Sequence, residues 1–448
     1  MQNLITASQI VALAAMAVTV PSVPAFARET GYSLRTGRAS GAVDLVEVAL
    51  DVGGDLRIVE DGKERRMKTN VAANFVYHEK SLQVGKGADS PMRSLRHYRE
   101  AVGTIKSGDH QYEPVLRDER RLIAVEIDQP RVTLFSPQGA LRFEELELID
   151  VLANSLLLEQ LLPSRAVALG NQWEHSNELI AALLGLDTVT SNDVKSTLTE
   201  VADGKARFEL SGRVEGAEDD VSTEIALKGK YQFDLKTRRI TWFGLLVRED
   251  RAVGHVDTGF DVTARVQMRI TPGAHSEHLA PDALANVPLQ STAELTQLSY
   301  ESAGGKWRFL HDRRWFVITE EDDRAVLRLI DQGDRLAQCN VAFLAPAADA
   351  TELTLEQFQK DIVGALGENF KSFVRASQQH DETDYRVFQV VAEGETSNVP
   401  MQWIYYLVTD RHGHRVVLAF VLEKEMVDRF EQADEKLVGT LRLSEPRE

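Results

Sequence analysis

VPMQWIYYLVTDRHGHRVVLAFVL, residues 399–422, reads as a β-hairpin. Gln402 to Thr409 and Arg415 to Leu422 are rich in β-branched and aromatic residues, as strands are. The DRHGH loop joins them, and its Gly413 takes a positive φ without steric cost. Side chains alternate across a strand, so Trp403 and Tyr405 share one face and Tyr406 takes the other. Upstream, Tyr385 to Ala392 reads as a third strand. Before it, Thr354 caps a helix, with Gln357 three positions on as its capping-box partner. Leu355, Phe358, Ile362, Leu366, Phe370 and Phe373 form the apolar stripe of that helix. Trp315 to Thr319, Ala325 to Ile330 and Ala337 to Phe343 are three earlier strands, closed by Pro346. A final helix carries Met426, Phe430, Ala433, Leu437 and Leu441. Strands, helix, strands, helix imply two helices packed on a mostly antiparallel sheet.

Upstream of Thr271 the pattern changes. Ala42 to Leu50 and Asp55 to Val59 read as strands joined by a tight turn at Gly53-Gly54. Val71, Ala73, Phe75 and Tyr77 alternate like one face of a half-buried strand. Leu122 to Pro137 gives two short strands, broken between Asp128 and Pro130. From Leu141 to Leu162 the apolar steps lengthen to three to five, which predicts an amphipathic helix ending at Pro163. Ser176 caps a second, short helix that Gly185 ends. Four strands follow, Lys205–Val214, Val221–Leu235, Arg238–Arg248 and Phe260–Ile270, in the close order of an antiparallel meander. The chain is thus expected to be α+β: a β-rich domain over 28–271 with helices near 143–185, a linker over 272–293 holding Pro272, Pro281 and Pro288, and an α/β domain over 294–448.

The C-terminal pattern resembles the PsbP/Mog1-like α/β/α sandwich. The Trp315 strand, the TLEQFQKDI helix start, the 399–422 hairpin and the terminal FEQADEKLVGTLRL helix carry the resemblance. It implies a mostly non-enzymatic accessory or binding role and transfers no functional residue. The stretch LLPSRAVALGNQWEH resembles exported β-rich proteins of planctomycete type, which implies no particular activity.

Composition narrows the partners. The 448 residues carry 51 Lys and Arg against 69 Asp and Glu, a formal charge of -18. Such a surface repels nucleic acid and anionic membranes at long range. The first 27 residues hold no charged side chain. Their apolar run IVALAAMAVTV is too short for a comfortable span and precedes PSVPAFA, where Ala25 and Ala27 suit signal peptidase. Residues 1–27 are therefore expected to be an export signal, and the protein to be periplasmic or secreted, without a stable span after cleavage. The single cysteine, Cys339, lies in a strand-like run and reads as a core residue.

Chemistry is sparse. No G-x-S-x-G elbow, H-E-x-x-H helix, full phosphate loop or haem attachment motif is present. His275 and His278 have ligand-like spacing but no cysteine nearby, so neither a metal nor a cofactor is expected. Candidate contacts for a ligand or partner are Trp173 and His175 before a helix, Trp403 and Tyr405 on one strand face, and His412 and His414 in the hairpin loop. Arg308, Arg313 and Arg314 in RFLHDRR make a local basic run suited to an anionic partner or a contact between domains. The leading expectation is an exported, non-enzymatic binding or accessory protein, its partner another exported or cell-envelope protein. The alternatives are a hydrolase with an unfamiliar site and a carrier of an apolar ligand.

Overall fold

The computed structural model describes residues 31–60, 63–85, 90–218, 221–253, 259–344, 353–380 and 385–443. The expected signal over 1–27 and the strand-closing Pro346 lie outside the described residues. The first group of strands is β1 (Val43–Glu60), β2 (Lys63–Gln83), β3 (Met92–Ser107), β4 (His110–Tyr112), β5 (Leu122–Asp128), β6 (Arg131–Phe135), β7 (Gln172–Glu174) and β8 (Thr188–Asn192). It continues with β9 (Lys195–Ala202), β10 (Lys205–Glu218), β11 (Val221–Asp234), β12 (Arg239–Arg251) and β13 (Gly259–Pro272). These thirteen form one antiparallel sheet, ordered β6-β5-β3-β2-β1-β13-β12-β11-β10-β9-β7, with β4 and β8 on the side.

The four expected meander strands are β10 to β13. Side chains alternate between buried and exposed along most of β11 and β13, so one face meets the core and the other meets water. Gly53 and Gly54 are not a turn. They lie inside the continuous ladder of β1, opposite Asn70 and Thr69 on one side and Thr263 and Val262 on the other. A Cβ on Gly54 would sit 2.2 Å from the carbonyl oxygen of Asp261, so glycine serves here for close backbone approach.

The core face is filled by the segment between β6 and β8. The predicted long helix stops early: α1 runs only from Phe143 to Ile149. Ala153 has a positive φ, and the Asn154 side chain accepts a bond from the Leu156 amide. The chain resumes only a short 3-10 turn at Leu158–Leu161; Leu156, Leu157, Leu158 and Leu161 are all buried, and Glu159 is drawn inward to Arg239. The second helix, α2 (Asn177–Leu184), forms as expected. Ser176 accepts the Leu179 amide and Gly185 closes it in the left-handed region. Residues 272–293 do not dangle. Leu279 and Leu284 pack with Leu95, Leu122, Ala124 and Phe135 on the opposite face of the sheet, burying β5 on both sides.

Beyond α3 (Ala293–Thr296) lie β14 (Leu298–Glu301), β15 (Trp307–His311), β16 (Trp315–Glu321), β17 (Arg324–Asp331) and β18 (Asp334–Leu344). After α4 (Leu355–Leu366) come β19 (Phe370–His380), β20 (Arg386–Thr396), β21 (Val399–Thr409) and β22 (Arg415–Glu423). The chain ends on α5 (Val427–Phe430), α6 (Ala433–Gly439) and β23 (Arg442–Leu443). Seven strands form an antiparallel sheet, β16-β17-β18-β22-β21-β20-β19, and β14-β15-β23 form a small one. Thr354 caps α4 as expected, but the helix ends at Leu366, and Phe370 and Phe373 belong to β19. The terminal helix is broken at Glu431 and Gln432, both at positive φ. One face of the seven-stranded sheet packs on α4 and the other on α6 and β15. The molecule is accordingly β-rich α+β. Among the described residues, no helix is long and apolar enough to cross a membrane.

Candidate functional site

The two halves of the chain meet where the start of α1 touches β14 of the small sheet. Leu141 and Leu298 form a bridge, the Ser299 amide donates to the Leu141 carbonyl at 2.7 Å, and Arg142 pairs with Glu301 at 3.2 Å. Arg313 reinforces the junction from below, donating to the carbonyls of Thr296 and Leu134. A cleft of about 710 Å³ opens beside this seam. Its walls are Arg142, Phe143 and Glu144 on one side, and β14 with the loop 302–305 on the other. Its floor is β16, through Phe316, Val317, Ile318 and Glu320.

Three features define its chemistry. β16 ends the seven-stranded sheet, so one row of its backbone groups faces away from β17. Phe143, Val317 and Ile318 are each more than a third exposed, and Phe143 meets Phe316 edge-on at 6.3 Å. Glu320 accepts from the Tyr300 hydroxyl and the Ala303 amide, both at 2.8 Å, which pins the loop. Burial and the Glu320 carboxylate push the Tyr300 phenol up, so it stays a donor. With Glu144, Glu301 and Glu320 against Arg142, the cleft leans acidic. His311 is buried, donates from Nδ1 to the Asp312 carbonyl, and is held neutral by that burial.

The sequence candidates fall in separate places. Trp173 and His175 come together in a pocket of about 380 Å³. Trp173 donates to the Leu161 carbonyl at 2.9 Å and His175 lies 2.8 Å from the Ser196 hydroxyl. Burial lowers His175 to about 4, so the ring is neutral at pH 7. Ser196 is fully buried and also receives the Tyr231 hydroxyl, so this pair offers no open nucleophile. Trp403 is buried against α4, with Tyr405 half-buried beside it and Tyr406 on the opposite face, as alternation requires. His412 and His414 form a closed polar turn. Asp410 accepts both backbone amides and meets the His414 ring at 2.8 Å. Arg314 is paired with Asp312 and Asp331. Arg308 alone of the basic run stays exposed, in a second cleft of about 440 Å³ on the far side of β14.

His278 stacks on His97 at 3.8 Å, which serves packing of the 272–293 segment. Among the described residues, no group of three His, Cys, Asp or Glu is placed to hold a metal. Cys339 is completely buried, and burial pushes its thiol up. Sequence reading missed Phe143, Tyr300, Phe316 and Glu320. Tyr300, Phe316 and Glu320 are near neighbours in the chain, but Phe143 lies far upstream, and the Leu141–Leu298 contact brings it to them.

No family model matches the chain, and no curated protein matches it. Among solved structures, cyanobacterial PsbP from Synechocystis is 13% identical over 35% of this chain and 99% of that one, with a TM-score of 0.28. The yeast Ran-binding protein Mog1p is 10% identical over 33% and 95%, with a TM-score of 0.26. An outer-membrane channel from Pseudomonas putida is 8% identical over 88% and 99%, with a TM-score of 0.15. Likenesses this slight bear on no functional question. None of them supports the planctomycete-type likeness of residues 161–175.

Proposed function

We propose that this is an exported, non-enzymatic accessory protein that binds an extended segment of another exported or cell-envelope protein in the cleft over β16. In this reading the C-terminal layers take the PsbP/Mog1-like form, and residues 1–27 direct the chain to the periplasm or outside. The observation that carries it is the sheet-edge strand β16 flooring an acidic cleft with its exposed Val317 and Ile318, beside the exposed Phe143. A peptide laid along such an edge gains main-chain hydrogen bonds, while its alternate side chains select for fit. Phe143, Phe316, Val317 and Ile318 favour apolar side chains on the segment, and the surplus of Glu favours Lys or Arg.

Selection from a random peptide library, followed by titration calorimetry, tests the reading. Enriched peptides should carry alternating apolar and basic residues. Ile318→Pro, at the bulge between Val317 and Thr319, disturbs the backbone of this edge strand and should weaken them about tenfold, or ~1.4 kcal/mol. Thr188→Pro, on a distant strand, should leave binding unchanged. Failure to enrich any peptide, or equal binding to Ile318→Pro, would overturn it.

A further inference from the structure

On the other side of β14 the charge inverts. The 440 Å³ cleft is lined by Arg117, Arg120, Arg142, Arg308 and Arg442, with Glu301 the one carboxylate residue among its walls. Two of the arginines are neutralised. Arg117 grips Glu145 with two bonds of 2.6 Å, and Arg142 takes Glu301. Among the described residues, the other three meet no carboxylate. Arg120 donates only to the carbonyls of Ala140 and Glu119, and Arg442 only to those of Leu441 and Gly439. Arg308 is exposed and stands between Arg442 in the β15–β23 ladder and Glu301 in the β14–β15 ladder, and Arg142 already engages that carboxylate. Like charges facing each other across a ladder are destabilising. Gly139, at φ +130, leaves the room that the Arg120 guanidinium fills; a Cβ there would lie 2.8 Å from its Nη2. A fold with 18 surplus negative charges has thus gathered three unpaired guanidinium groups from both of its halves.

We propose that this cleft is a binding site for a small molecule bearing two or more oxyanions, such as adjacent phosphate or sulfate groups. Guanidinium forks present paired N–H donors that match such groups bidentately. The volume suits a compact ligand of that kind. The oxyanion would sit between Arg308 and Arg442 and relieve their repulsion, with Arg120 closing the site from the N-terminal half. The site is independent of the peptide reading, because Arg308, Arg120 and Arg442 line this cleft and not the other.

The test is titration calorimetry of the full chain with pyrophosphate, beside flotation with vesicles of one part phosphatidylglycerol to three parts phosphatidylcholine. Pyrophosphate should bind, its affinity falling steeply with salt. Arg308→Gln and Arg442→Gln should each weaken it about tenfold. Arg442→Gln should also raise the melting temperature of the ligand-free protein, since it removes the like charge opposite Arg308; a merely structural arginine would lower it. Binding confined to vesicles and lost in Arg308→Gln upholds the oxyanion chemistry and assigns it to a lipid headgroup. No binding of either probe at low salt, or binding that Arg308→Gln and Arg442→Gln leave intact, overturns the proposal.

Discussion

The two halves of the chain build opposite interiors. The N-terminal sheet encloses charge. Arg239 grips Asp44 with bonds of 3.0 and 2.6 Å and also meets Glu159. Arg96 donates to Glu79 at 2.8 Å and to Asn154 at 2.6 Å, while Ser94 and Ser155 also donate to Glu79. Arg38 lies among Asp44, Glu79 and Glu159, and all six charged side chains are almost wholly buried. The C-terminal sheet encloses Trp307, Trp315, Phe309 and Phe420; among the described residues of this half the one buried acid is Asp434, bonded to Tyr406 at 2.7 Å. The contrast shows what each interior must do. Alternating strands covered by helices seal themselves with apolar surface. The irregular segment 150–162 and the entering chain at 36–44 lack that periodicity, and ion pairs fix them to the sheet instead. Hydrophobic burial has no direction, whereas a bidentate ion pair fixes one register.

The largest effects should come from opening either interior. Glu79→Ala strands Arg96, while Arg38 keeps Asp44 and Glu159, and should cost about 3–5 kcal/mol. Phe420→Ala leaves a cavity and should cost about 3–5 kcal/mol. Urea unfolding monitored by hydrogen exchange separates the two, because each loss should be confined to its own half. Replacing Glu79 and Arg96 together by Leu and Met should recover much of the first loss, since no lone charge remains; no recovery would break the contrast. Gly54→Ala forces β1 from β13 and should cost about 1–3 kcal/mol in the same assay.

Acid should separate the halves with opposite signs. Burial alone would raise Glu79, but Arg96 and Arg38 outweigh it and hold the carboxyl below its usual range. That stabilisation is present above the ordinary Glu value of 4.5 and is lost as pH falls through the lower folded value. Asp434 is raised, chiefly by burial. The unfolded chain therefore ionises first, and the C-terminal half loses stability as pH rises above 3.8 toward the folded value. Asp434→Asn should flatten that decline in a pH series of urea midpoints. The smallest effect sharpens the comparison at one helix: Thr354→Ala removes the cap of α4 and should cost about 1 kcal/mol, felt only in the C-terminal half.

Legibility in the sequence follows the same division. The meander β10–β13, the 399–422 hairpin and the capped starts of α2 and α4 were readable because period and capping chemistry are local. The early end of α1 was not, since the leucines at 156–158 and 161 match a helical stripe and only their burial on every side shows otherwise. Gly53-Gly54 looked like a turn because two glycines state permissiveness, not which use is made of it. At the candidate sites, Arg308 was picked out by its basic neighbours. Its opposition to Arg442 depends on a ladder register that no local signal carries. The cleft over β16 escaped notice for a related reason: Phe143 and Phe316 meet only through a contact between the halves.

Hydrogen exchange of the full chain, with and without a selected peptide, tests the central claim most directly. Binding along the free edge predicts slowed exchange of β16 amides within 315–321, with the Trp173–His175 pocket unchanged. Slowed exchange at that pocket while β16 exchanges at its free rate would contradict it.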